Sequence, residues 1–284
     1  MFKSVFNDVW AFDAEWVPDP KAGRLLYKLS DDLSDREVIK VMWEKGGATP
    51  EDPQPFLKTI MCKLVSLSAV TRHKDKDGHI NLHLVSLPKN TDNLEELSEK
   101  NIIKTFLNGV GDKQPQIVGF NSSASDMLIL VQRAIINGLS LPKFTKRPNK
   151  PWEGNDYFDS RNSEAHIDLK DIVSTFGRGT PSLNELATLS GIPGKMDVDG
   201  NQVVNLWLDG KIDEIIAYNE FDALTTYLVW LRIAYFGGFI NKKQYEAEQE
   251  LLKTKITEWA KEPKRDHLEK YLVEWERLKK TNEL

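Results

Sequence analysis

Four carboxylates and one phenol carry the chemistry that can be read from this chain: Asp13, Glu15, Asp126, Tyr218 and Asp222. They fall in three separated patches. The first, Val9 to Trp16, reads as a strand whose two-residue period puts Val9, Ala11, Asp13 and Glu15 on one face. Trp10, Phe12, Ala14 and Trp16 take the other. Two acids at the end of a strand that is otherwise apolar on both faces are costly to bury unless paired, protonated or bound to a cation. Hard divalent ions such as Mg2+ or Mn2+ take carboxylate oxygens, so a metal is the natural counter-charge.

The second patch runs from Val118 through Gly119-Phe120-Asn121-Ser122-Ser123-Ala124-Ser125 to Asp126, a strand leading through a polar turn into a helix. Asp126 falls in the first helical turn, where the macrodipole favours an ionised carboxylate by roughly 0.3 to 1 kcal/mol. An aspartate there ordinarily does no more than stabilise its helix. The third patch, Tyr218-Asn219-Glu220-Phe221-Asp222, lies inside a long apolar helix, and the four-residue spacing aims the Tyr218 hydroxyl and the Asp222 carboxylate the same way. Taken singly these spacings are weak: Asp35-Arg36-Glu37 and Tyr27 to Asp31 repeat them in a polar stretch, where a solvated face explains both. What lifts the chosen set is its order: a strand end, a helix start after a strand, then a late buried helix.

The elements that must position these residues form a mixed α/β pattern. After the first strand, Val17 to Lys58 carries Pro18, Pro20, Gly46, Gly47, Pro50, Pro53 and Pro55 and reads as an insertion. Strands are predicted over Cys62–Val70 and His79–Leu87, paired as a hairpin, then a helix over Asn93–Val110 and a strand over Gln116–Phe120. A helix follows to Asn137, a fifth strand covers His166 to Leu169, and Ser182-Leu183-Asn184-Glu185 opens another helix with a capping box. One long helix is predicted from Ile212 to Gly237. The tail, Asn241 to Leu284, has Leu, Tyr and Trp at helical spacing among Lys and Glu and reads as two packed helices broken near Pro263.

Size and charge bound the function. A chain of 284 residues, 40% hydrophobic, can bury a real core, and its net charge of -5 requires any nucleic-acid contact to come from a local basic patch. No stretch approaches the roughly 20 apolar residues that span a bilayer, and the start leads into a strand without a signal peptide, so a cytoplasmic location is expected. Cys62 stands alone, which excludes an internal disulfide, and the five histidines do not cluster at ligand spacing. No Gly-rich phosphate loop follows a strand, which argues against dinucleotide enzymes.

Phe12-Asp13-Ala14-Glu15-Trp16, Gly119-Phe120-Asn121 through Asp126, and Tyr218 through Asp222 resemble the three exonuclease motifs of the DEDD superfamily, in its tyrosine-bearing DEDDy branch. Ser182 to Leu186 and Gly191-Ile192-Pro193-Gly194-Lys195-Met196-Asp197-Val198-Asp199-Gly200 resemble the stand-alone predicted 3'-5' exonucleases related to the proofreading domain of family B polymerases. The resemblance, over about residues 5 to 236, implies a ribonuclease H-like five-stranded sheet and two divalent cations held by Asp13, Glu15, Asp126 and Asp222. Tyr218 would orient the attacking water. An exonuclease domain is expected over 1–238 and a helical extension over 239–284, the latter open to a protein partner.

By the same analogy Ala14, Trp16, Phe120 and Asn121 would flank the terminal nucleotide, while Asp168 reads as a supporting residue at a sheet end. The loop from Lys143 to Trp152 interleaves Lys143, Lys146, Arg147 and Lys150 with two aromatics, a composition suited to a single strand and equally to a solvated loop. The expected activity is 3'-5' removal of nucleotides from single-stranded DNA. The same chemistry on RNA, or a non-catalytic nucleic-acid-binding module keeping the fold, are the alternatives.

Overall fold

The computed structural model describes residues 1–150, 152–159, 161–175, 179–196 and 202–282. The resembling stretch Asp197 to Gly200 and Pro151 of the basic loop lie outside them. Five strands form one mixed sheet: β1 (Asp8–Pro18), β2 (Cys62–Lys74), β3 (Ile80–Leu87), β4 (Gln116–Gly119) and β5 (His166–Asp168), in the order β3-β2-β1-β4-β5. β1, β2 and β3 are joined antiparallel, while β4 and β5 run parallel to β1. This is the ribonuclease H-like arrangement. The parallel connections pass through helices, as they must to return the chain to the same end of the sheet.

The alternation in β1 separates two cores. Val9 and Ala11 join the buried cluster built on α8 (Ile212–Phe236), whereas Phe12 and Ala14 join one built on α3 (Glu99–Lys113) and α4 (Asp126–Ile136). α8 is apolar nearly all round because it is covered on all sides. The sheet lies on one side; α6 (Leu183–Leu189), α7 (Val203–Leu208), α9 (Lys242–Trp259) and α10 (Leu268–Asn282) pack around the rest. A short α5 (Leu169–Val173) follows β5. The capping box read at Ser182 and Glu185 closes the start of α6, with Ser182 Oγ accepting from Glu185 N.

Two sequence expectations shift. Val17 to Lys58 holds two helices, α1 (Pro20–Tyr27) and α2 (Asp35–Lys45), and α2 buries Val38, Ile39 and Met42 against the body of the protein. Prolines and glycines at its ends had masked that periodicity. The third helix begins at Glu99 rather than near Asn93, because Ser98 caps it while Leu94 is 84% exposed. The tail forms the two packed helices expected, with Leu252, Ile256, Leu268 and Tyr271 fully buried in the α8 cluster. Among the described residues no helix is long and apolar enough to cross a membrane.

Candidate active site

β4 pairs with β1 only at Val9, Trp10 and Ala11, while β2 stays paired to β1 as far as Pro18. The β1 edge is therefore open just where its acids emerge. Asp13 and Glu15 point to the α8 side, and α8 brings Asp222 to them: carboxylate oxygens of Asp13, Glu15 and Asp222 lie within 4.8 Å of one another. Asp126 approaches from the other flank, from the first turn of α4. Its Oδ1 accepts the unpaired Ala14 N–H at 3.1 Å, and its Oδ2 lies 2.8 Å from Ser125 Oγ. Asp126 thus takes the place on the β1 edge that β4 has vacated.

The turn that delivers Asp126 depends on close packing. A Cβ on Gly119 would sit 2.4 Å from Ser122 Cβ, so only glycine allows the chain to turn there. Asp168, at the end of β5, accepts from Asn121 N at 2.7 Å and Ser123 N at 2.9 Å, holding Asn121 at a φ of 62°. Lys170 Nζ donates to Asn121 Oδ1 at 2.9 Å. Asp168 is therefore a supporting residue for the turn. His166, next to Ser122 Oγ at 2.9 Å, is pushed down to about 4 by burial and stays neutral.

The electrostatics of the cluster are unusual for acids. Burial, then the charges of Asp126, Asp222 and Glu15, holds Asp13 well above the usual carboxylate range. Glu15 is raised in the same way, by burial and by Asp222 and Asp126. Burial lifts Asp126 to about 6 against hydrogen bonds from Ser125 and backbone amides, and lifts Asp222 to about 6 against its hydrogen bond from Tyr218. The Lys195 charge draws Glu15 and Asp222 back down. Burial first, then the charges of Asp222, Glu15 and Asp13, pushes the Tyr218 hydroxyl far above the usual tyrosine value. It remains a neutral donor.

Three supporting residues, Asn219, Ser66 and Lys195, escaped the sequence reading. Asn219 is fully buried, donates to Asp13 Oδ2 at 2.7 Å, and accepts from Ser66 Oγ at 3.0 Å. Its position beside Tyr218 was visible, but its partners depend on the β1–β2 register, which pairs Glu15 with Ser66. Lys195 is set by the Pro193-Gly194 approach to α6: its N–H donates to Asn184 Oδ1 at 2.7 Å, and a Cβ on Gly194 would meet that same oxygen at 2.1 Å. Lys195 lies in the Gly191 to Gly200 stretch that carries the resemblance, but its residue type alone gives it no role there.

Of the residues expected to flank substrate, Ala14 and Trp16 line the open β1 edge, and Phe120 and Asn121 form the turn before α4. Lys143, Lys146 and Arg147 are not brought to the acids. Their loop lies by Gly111 and Gln114, at the end where β4 begins, whereas Asn121 and Asp126 leave the other end. There Lys143 pairs with Asp112, and Arg147 Nε donates to Asp156 at 2.8 Å.

A ribonuclease H-like sheet with a cluster of buried, mutually repelling acids at the open edge of its central strand defines a class of scaffold suited to metal-dependent phosphodiester chemistry. Residues 54–275 match the family described as a predicted 3'-5' exonuclease related to the exonuclease domain of PolB, and the chain belongs to that family of hydrolases. Asp126, Tyr218 and Asp222 fall inside the matched span; Asp13 and Glu15 precede it. Among solved structures the chain is similar to the family B DNA polymerase from the hyperthermophilic archaeon Pyrobaculum calidifontis, at 18% identity and a TM-score of 0.47, over 80% of this chain and 24% of that one. It spans about a quarter of that polymerase chain. No curated protein matches it.

Proposed function

We propose that this chain hydrolyses single-stranded DNA from its 3' end, releasing nucleoside monophosphates, with two divalent cations, Mg2+ or Mn2+, held by Asp13, Glu15, Asp126 and Asp222. The observation that carries the reading is the convergence of three of these carboxylates within 4.8 Å, with raised pKa values that burial and mutual repulsion cause. Oxygen donors of this kind suit hard cations, and a site that holds its acids against repulsion is relieved when positive charge enters. When bound, such cations lower the pKa of water and stabilise charge on the attacked phosphate and the leaving 3' oxygen.

The chain's own residues do the rest. Asn219 and Ser66 fix one oxygen of Asp13, and Ala14 N–H fixes one of Asp126, so the acids keep their spacing without substrate. Tyr218, neutral at any physiological pH, hydrogen-bonds Asp222 and can donate to or orient a water beside it, but it is too weak an acid to hold a negative charge. Lys195 supplies positive charge near Glu15 and Asp222, where a substrate phosphate would lie. In this reading residues 1–238 form the exonuclease domain, and 239–284 form an extension buttressing α8.

The test uses oligonucleotides labelled at either end, in DNA and RNA forms, with Mg2+ or Mn2+. Stepwise release of mononucleotides from the 3' end of DNA, abolished by Asp13→Ala, is expected. No release with either metal, or release indifferent to Asp13→Ala, would defeat the proposal; faster loss of RNA would reassign its substrate.

A further inference from the structure

α8 is apolar nearly all round, and apolar packing is non-directional, so burial alone does not fix the rotation of the helix that carries Asp222. Two polar rungs do. The first lies under the acids, where Asn219 donates to Asp13 and accepts from Ser66. The second starts one residue further on, at Glu220, which is 1% exposed. Ser68, the strand partner of Asp13, donates from Oγ to Ser86 Oγ at 3.2 Å, and Ser86 Oγ donates to Glu220 Oε1 at 2.6 Å. This rung ties α8 to β3.

The tail closes on the same carboxylate. Arg265 Nε donates to Glu220 Oε1 at 3.1 Å, its Nη2 lies 3.0 Å from that oxygen, and His267 Nε2 lies 2.8 Å from Oε2. Arg265 Nη2 also donates to Leu84 O on the outer strand, at 3.1 Å. Arg265 and His267 both come from the connection between α9 and α10, and the His267 ring meets Phe221 edge-on at 5.3 Å. The tail therefore grips α8 at Glu220 and Phe221, the two residues between Asn219 and Asp222. Adjacent helical residues point about 100° apart, so Asn219 and Glu220 hold α8 from two directions. A turn of the helix about its axis would break a charge-assisted hydrogen bond.

We infer that Glu220 is a positioning residue for the acid cluster: clamped by Ser86, Arg265 and His267, it sets the rotation of α8 and so places Asn219 and Asp222 against Asp13. The C-terminal extension thereby acts on the acids through α8. A buried ion pair adds little net stability over apolar packing but does fix register, which is the role assigned here. The inference rests on the exonuclease reading of those acids and gives residues 239–284 a part in it.

The experiment compares full-length wild type with Glu220→Gln, Arg265→Ala and Arg72→Met, each well below its own melting temperature so that folded protein is read. Glu220→Gln keeps the size of the side chain, and Arg265 lines an open cleft of about 730 Å3 where water can replace it. Mn2+ binding, followed by electron paramagnetic resonance, should weaken roughly 2- to 30-fold in Glu220→Gln and Arg265→Ala, with Arg265→Lys recovering part of the loss. On oligonucleotides kcat should fall while KM holds. Arg72→Met breaks a different buried pair, between β2 and α9, and should bind Mn2+ as wild type does. In EDTA, the side-chain amide resonance of Asn219 reports its bond to Asp13; it should shift in the Glu220 and Arg265 variants and stay in place in Arg72→Met. Variants that melt lower yet match wild type in Mn2+ affinity and in the Asn219 signal overturn the positioning role and leave the exonuclease. Wild-type protein that takes up no Mn2+ and cuts nothing, while the Asn219 signal still moves in the variants, overturns the exonuclease and keeps the positioning role.

Discussion

Two sets of buried acids in this protein are handled in opposite ways. Glu99 and Asp19 share Arg133, which donates to them at 2.8 and 2.7 Å; Glu248 is held by Arg72 at 2.6 Å; and Glu220 meets Arg265 at 3.0 Å and His267 at 2.8 Å. Each of these acids has a contacting cation. At the open edge of β1, Asp13, Glu15, Asp126 and Asp222 repel one another instead, with Lys195 acting on two of them. The pairs bind elements together: Arg72 and Glu248 join β2 to α9, and Arg133 joins the start of α1 to α3 and α4. The unmatched set stores a demand for positive charge. Burial alone does not mark a functional acid; burial without a matching cation does.

The contrast can be broken most severely at the unmatched set. Asp222→Asn should lower turnover on the order of a thousandfold or more while leaving a folded protein. In metal-free protein the same change should raise stability by roughly 1 to 2 kcal/mol, since it removes a charge that burial, and to a lesser degree Asp126, disfavours. The pH dependence has a definite sign. Between the usual aspartate value of 3.8 and about 6, the folded state keeps protons on Asp126 and Asp222 that the unfolded chain has lost. Metal-free stability should therefore fall as pH rises through that window. Added Mn2+ should raise the melting temperature at pH 7, and less in Asp222→Asn. A melting profile flat from pH 4 to 7 would contradict this account.

At a matched pair the outcome should reverse. Arg72→Met leaves Glu248 buried without its partner and should cost about 3 to 5 kcal/mol, read by denaturant unfolding. A loss below 1 kcal/mol would mean that Glu248 is not held as the structure shows. Smallest of the three, Asn219→Ala frees one oxygen of Asp13 and should reduce metal affinity or turnover about 10- to 100-fold, with Asn219→Ser recovering part of it. Equal metal titration curves for the variant and wild type would remove Asn219 from the positioning network.

The sequence made the acids legible because each sits at a position that local rules can read. Asp13 and Glu15 follow from a two-residue alternation, Tyr218 and Asp222 from helical spacing, and Asp126 from a strand-to-helix turn. Asn219, Ser66 and Lys195 were not legible, since their contacts arise from strand register and from a loop folding back on α6. Composition also misled about Val17 to Lys58, whose breakers frame two helices instead of forbidding them. The basic loop showed the limit in the other direction: its residue types suit a nucleic acid, but Gly111 and Gln114 anchor it at the far end of β4.

The shared core of α8 with α9 and α10 has a practical outcome for anyone trimming this protein. Phe221 stacks on Tyr271 at 5.8 Å, and the Tyr271 hydroxyl lies 3.1 Å from Thr225, on the same helix that carries Asp222. Cutting the polypeptide after Phe236 would strip a greasy slab bare within one turn of a candidate ligand. Such a fragment should clump in solution, and a soluble minimal enzyme has to keep its tail.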